Sequence, residues 1–153
     1  MTLREGPAMY RYLDRSVATL DVGARFLVWA IREGTATITS RRCIGAALGP
    51  TFTRHGAATA LPPFAMAMAL LLRNQGEQAT VEPCQCARIN EYEALLLTMF
   101  AATEPEGDRR VAATLNLMID DPMTSAAAHR AIRTVTAKLL EAGLAPASPD
   151  TDA

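Results

Sequence analysis

A chain of 153 residues, half of them apolar and a fifth charged, has the composition of one globular domain and excludes an intrinsically disordered one. Its net charge of −1 excludes a global electrostatic pull toward nucleic acid or an anionic membrane. Aromatic residues are sparse at 5%, whereas Ala, Leu, Met and Arg, which lose little rotamer freedom on a helix, are abundant. The expected fold class is therefore all-α: a single-domain bundle of about six or seven helices.

Taken in chain order, Pro7 suits the first turn of an opening helix. Tyr10, Leu13, Val17, Leu20, Ala24, Leu27 and Ile31 then recur at alternating steps of three and four, a helical stripe ending near Gly34. Asp21-Val22-Gly23 combines a good cap with a poor helix former, so one helix or two meeting there fit equally. Thr35 to Thr39 can be extended, with Ser40 capping a helix through Leu48 that Gly49-Pro50 breaks. A short helix from Thr51 to Ala60 follows.

Leu61-Pro62-Pro63 opens Phe64 to Asn74, apolar on nearly every side and hence the expected central helix. The uncharged run Gly56 to Leu72 is too short for a membrane span and contains two prolines, so no membrane partner is expected. Glu77 to Pro83 reads as a linker. Asn90 with Glu93 forms a capping signal for a helix over Glu91 to Ala102. Thr103 to Gly107 reads as a loop, Asp108 as the cap of the next helix, and Asp121-Pro122 as the break before a last helix over Ser125 to Ala142. Gly143 suits its C-terminal cap. Residues 1–144 are expected to form the domain and 145–153 a disordered tail.

The segment Val81-Glu82-Pro83-Cys84-Gln85-Cys86-Ala87-Arg88, followed by Asn90-Glu91-Tyr92-Glu93-Ala94-Leu95-Leu96, resembles an uncharacterised family of small helical α-proteobacterial proteins. Phe26 to Arg32, then Phe52-Thr53-Arg54, then Pro63 entering an apolar helix, follow the same segment order. The similarity spans about Phe26 to Ala142. Members of that family often carry three successive cysteines where this chain has Gln85 between two, so a role needing three adjacent thiols does not carry over. The resemblance implies an all-α fold and a bacterial cytoplasmic origin, and it carries no function over.

Three cysteines without a secretory leader point to free thiols in a reducing, cytoplasmic setting. Cys84 and Cys86 can present two thiolates to one metal, with Cys43 or His55 completing a tetrahedral zinc site, although the spacing matches no zinc finger. Alternatively the pair is redox-active, placed before a helix N-terminus that lowers thiol pKa. The leading reading is that the cysteines act as small buried hydrophobes, so no cofactor is expected, with zinc as the alternative.

His129 reads as a surface or half-buried histidine, and the adjacent carboxylates Asp120 and Asp121 as caps; no catalytic set emerges and the chain leans away from an enzyme. Fourteen of the fifteen basic residues are Arg, first explained by codon use in a GC-rich genome. Arg41, Arg42 and Arg54, or Arg130, Arg133 and Lys138, can form cationic faces, but nucleic acid is not the expected partner. The expected function is a non-enzymatic interaction or regulatory module. A homodimer is expected because the apolar surface of the opening stripe and the central helix exceeds what a small bundle buries. A metal-binding or thiol-redox protein and an Arg-face nucleic-acid binder are the alternatives, and an unknown protein partner is compatible with the first.

Overall fold

A computed structural model describes residues 11–147. Among them the chain forms six α-helices, joined by short 3-10 turns, and no strand beyond an isolated antiparallel bridge between Ser16 and Arg88. The helices are α1 (Val22–Thr39), α2 (Ile44–Arg54), α3 (Leu61–Gln75), α4 (Glu91–Phe100), α5 (Pro105–Met118) and α6 (Pro122–Glu141). The expected all-α bundle is what forms, with α3 packed against α6, α1 and α2. No helix among the described residues is long and apolar enough to cross a membrane.

The opening stripe resolves into a 3-10 turn at Val17–Thr19 and then α1, whose N-cap is Asp21; its side chain accepts from the amide of Ala24. Residues before 11, Pro7 among them, lie outside the described chain. Gly34 lies inside α1 instead of ending it, and a Cβ there would come 3.2 Å from a ring carbon of Phe64 on α3, a close approach that glycine permits. Thr35 to Thr39 belongs to α1 instead of an extended segment. Burial of Thr35 and Thr37 with the core outweighs their β-branched preference, and Ser40 ends α1 instead of starting α2.

Pro50 sits inside α2, where a break was expected. Its ring removes one helical donor, but Gly49 before it has no Cβ to meet the Pro Cδ, and Leu48 and Phe52, one turn apart, are both buried and carry the helix across. The chain then leaves helix at Arg54, and only a 3-10 turn at Ala58–Ala60 precedes α3. Phe26, Phe52, Phe64 and Phe100 form a continuous row of ring contacts through the core, with centroids 4.9–5.7 Å apart.

Of the two helices that set the core, α1 is the more enclosed: eleven of its 18 residues are buried. In α3 the buried face is Phe64, Ala67, Met68 and Leu71, while Met66 is 57% exposed. The apolar surface expected to drive dimerisation is therefore largely covered by the chain's own helices. Asp121 caps α6 through the amide of Thr124, and Gly143 takes a positive φ of 73° so that the Leu144 amide reaches the Leu139 carbonyl at 2.8 Å. Beyond it Ala147 is still attached, its amide bonded to Asp21 and its carbonyl accepting from the Tyr12 hydroxyl. The rest of the expected tail lies outside the described residues.

Candidate functional site

The loop from Glu82 to Ile89 carries Cys84 and Cys86, and a buried ion pair fixes it. Arg32 on α1 and Glu93 on α4 have side chains 1% and 0% exposed and meet through two bonds, Nε to Oε2 at 2.8 Å and Nη2 to Oε1 at 3.0 Å. The remaining guanidinium protons go to loop carbonyls: Nη1 to Cys86 at 2.8 Å and Cys84 at 3.5 Å, Nη2 to Arg88 at 2.8 Å. Glu93 also accepts from the amides of Glu82 and Asn90, the latter completing the expected capping box of α4.

Both charges are thus fully paired, the condition under which a buried ion pair is tolerated. Burial works against the Arg32 charge, but the bidentate Glu93 outweighs it and raises the guanidinium above its ordinary value. Only Arg has the planar fork to serve a carboxylate and three carbonyls together.

The loop is pinned on its other side as well. The amide of Val17 donates to Ala87, that of Asp14 to Ile89, and that of Ile89 to Arg15. At the tip, the Cys86 amide donates to the Pro83 carbonyl at 2.9 Å, closing a turn with Cys84 and Gln85 at its corners. Cys84 is exposed and Cys86 half-buried, and Cys43 is exposed as well, so none of the three is the buried small hydrophobe expected. The Cys84 thiol donates to Glu33 Oε2 at 3.3 Å, and the Cys86 thiol faces the Arg88 carbonyl at 3.5 Å.

Partial shielding of the sulfur from water and then the Glu33 carboxylate push the Cys84 thiol from its ordinary value of 9 up to about 11. The expected lowering by a helix N-terminus does not reach it. The first turn of α4 begins at Glu91, seven residues on, and its Glu93 amide is taken by the Asn90 side chain.

The four residues expected as zinc ligands are not gathered into one donor set. Cys43 is exposed at the N-cap of α2 and His55 stands at the C-cap of the same helix. His55 Nδ1 lies 2.9 Å from the Thr51 carbonyl, and the ring rests 5.1 Å from that of Phe26. Among the described residues, no group of three or more His, Cys, Asp or Glu is placed to hold a metal ion. His129 is half-buried and meets Asp108 at 2.9 Å across α5 and α6, with Arg133 3.5 Å from the same carboxylate. Asp108 therefore ties two helices together inside α5, and the N-cap position expected for it is held by Glu104. Lys138 lies 3.7 Å from Glu141.

A second feature has no counterpart in the sequence patterns. Between α4 and α5 lies a half-open groove of about 610 Å³. Leu95 and Met99 of α4 and Val111 of α5 supply apolar walls, and Glu106 and Arg110, paired at 2.8 Å, stand on the α5 side. Leu117, also on its wall, is 88% exposed, and Met123, just across the α5–α6 turn, is 81% exposed.

Sequence reasoning missed Arg32, Glu33 and this exposed pair. Arg32 read as one more Arg of an Arg-rich chain. The signal that finds it is its place one step from Ile31 on the apolar stripe, where a lone charge needs a buried partner. No protein-family model, no curated protein and no solved structure matches the chain.

Proposed function

We propose that this chain is a helical interaction module of a reducing compartment that acts by binding and pairs with a second copy of itself through the α4–α5 groove. The observation that carries the reading is Leu117, 88% exposed on the wall of an apolar groove. A two-fold interface uses one patch on both copies, so it requires projection and recess on the same face. Leu117 is the projection and the groove beside it the recess.

The rim fits the same occupant. Its charges are of both signs, with Glu106 and Arg110 paired within the chain at 2.8 Å, so no excess of one sign repels a second copy. The chain's net charge of −1 opposes self-association little. Fully burying one leucine is worth about 1.5–3 kcal/mol, and a two-fold contact counts it twice.

Light scattering on the full chain at micromolar concentration is expected to give twice the 16.4 kDa chain mass, and Leu117→Asp, at an exposed site that leaves the fold intact, the single mass. A wild-type monomer overturns the reading.

A further inference from the structure

We propose that Cys84 and Cys86 form a dithiol switch that a peroxide closes to a disulfide, with Glu33 receiving the Cys84 proton. This inference is independent of the pairing surface between α4 and α5. Three features of the loop support it together.

The first is proximity. A turn closed from Pro83 to Cys86 bends the chain between the two cysteines, which stand two positions apart and are thereby drawn in from the roughly 7 Å of an extended pair toward the roughly 4.4–6.8 Å that disulfides span. The second is rigidity combined with exposure. Arg32 holds the carbonyls of Cys84, Cys86 and Arg88, so the backbone of the tip is fixed while both side chains reach the surface, Cys84 exposed and Cys86 half-buried. The third is asymmetry. The Cys84 thiol is committed to Glu33, whereas the Cys86 thiol faces a neutral carbonyl. The two sulfurs therefore have different parts: Cys86 meets the oxidant and Cys84 resolves the product.

The steps balance. The Cys86 thiolate attacks one oxygen of a hydroperoxide; the S–O bond forms, the O–O bond breaks, and the departing alkoxide takes a proton and leaves as the alcohol. Cys86 is then a sulfenic acid, oxidised by two electrons. The Cys84 sulfur attacks the Cys86 sulfur as its proton passes to Glu33 Oε2, the S–S bond forms and the S–O bond breaks. The leaving hydroxide takes up that proton as water. Two thiols and one hydroperoxide give a disulfide, an alcohol and water. A dithiol reductant reverses the change by exchange through a mixed disulfide.

The test uses the full chain carrying Cys43→Ser, treated with stoichiometric hydrogen peroxide and read by intact mass and peptide mapping. The expected product is about 2 Da lighter than the starting protein, the loss of two hydrogens that forms one disulfide. It is linked between residues 84 and 86 and restored by dithiothreitol. Cys84→Ser is expected to stop at a sulfenic acid on Cys86 that dimedone traps, and Cys86→Ser to leave Cys84 unmodified under the same dose.

Glu33→Gln is expected to leave the first step unchanged and to slow closure about tenfold or more, the scale at which a positioned proton acceptor acts. The slower closure is read as a longer-lived dimedone-reactive species. Circular dichroism on each variant reports that the helices persist. Linkage between two chains, sulfenic acid first on Cys84, or a closure rate indifferent to Glu33 overturns the proposal.

Discussion

At the scale of single residues the molecule turns on Arg32. It lies on a helix whose neighbours at 31 and 34 are core positions, and it is 2% exposed. Its tolerance there depends on Glu93 and on the three loop carbonyls that accept its remaining protons. Removing either charge leaves the other buried and unpaired, which costs about 3–5 kcal/mol, whereas replacing both by apolar groups of similar volume is often close to neutral. Arg32→Ala is therefore expected to lower the urea-unfolding free energy by about 3–5 kcal/mol. Arg32→Lys should recover little, since an ammonium has no fork for Glu93 and the loop carbonyls. The double variant Arg32→Met with Glu93→Leu is expected to regain much of the core's stability while freeing the 82–89 loop, seen as faster hydrogen exchange at the Cys86 amide. A single and a double variant equally destabilised would count against the pair as the loop's anchor.

At the scale of elements, what was legible and what was not divide on whether the cause is local. The capping box at Asn90 and Glu93, the cap at Asp121 and the positive-φ glycine at 143 rest on bonds within a few residues, and each reads from the sequence because its chemistry is short-range. The expected break at Gly49-Pro50 and the extended reading of Thr35 to Thr39 fail for the opposite reason: packing of Leu48, Phe52 and Thr37 in the core overrides the local preference. The Arg32–Glu93 pair spans 61 positions and no spacing rule announces it. Gly23 belongs with these long-range causes. It reads as a helix weakener, but a Cβ there would collide with the Leu144 carbonyl oxygen and lie 2.7 Å from the Leu144 carbonyl carbon and 3.0 Å from that of Ala145. Those atoms are backbone and cannot rotate away. Gly23→Ala is expected to displace the Leu144–Ala147 segment, break the Ala147 bonds to Asp21 and Tyr12, and lower the melting temperature by roughly 4–8 °C, corresponding to about 2 kcal/mol for a chain of this size. An unchanged melting temperature would show that this segment contributes nothing to the fold.

At the scale of the whole molecule, stability is set to fail on the alkaline side. Burial pushes Tyr92 from its ordinary value of 10 up to about 12, and burial with the Asp21 carboxylate does the same to Tyr12. Cys84 moves from 9 to about 11, through partial shielding from water and then Glu33. In all three the folded chain holds a proton more tightly than the unfolded chain. The stability tied to these protons is therefore complete below the unfolded values and is lost as pH rises through the folded ones. The unfolding free energy is expected to decline from about pH 9 as Cys84 begins to count, then to fall steeply between about pH 10 and 12 as both buried tyrosines do, each contributing on the order of 2 kcal/mol. The two tyrosines are separable. The Tyr12 hydroxyl donates to the Ala147 carbonyl, whereas that of Tyr92 is buried with no hydrogen-bond partner among the described residues. Tyr92→Phe is therefore expected to be neutral or stabilising at pH 7, since it removes an unsatisfied group, and to flatten the alkaline fall by about half. Tyr12→Phe should flatten it too but lower stability by about 1 kcal/mol at pH 7 for the lost bond. Denaturant titrations of the three proteins from pH 7 to 12 decide the matter: parallel curves would mean that neither hydroxyl is as enclosed as the helices around it make it.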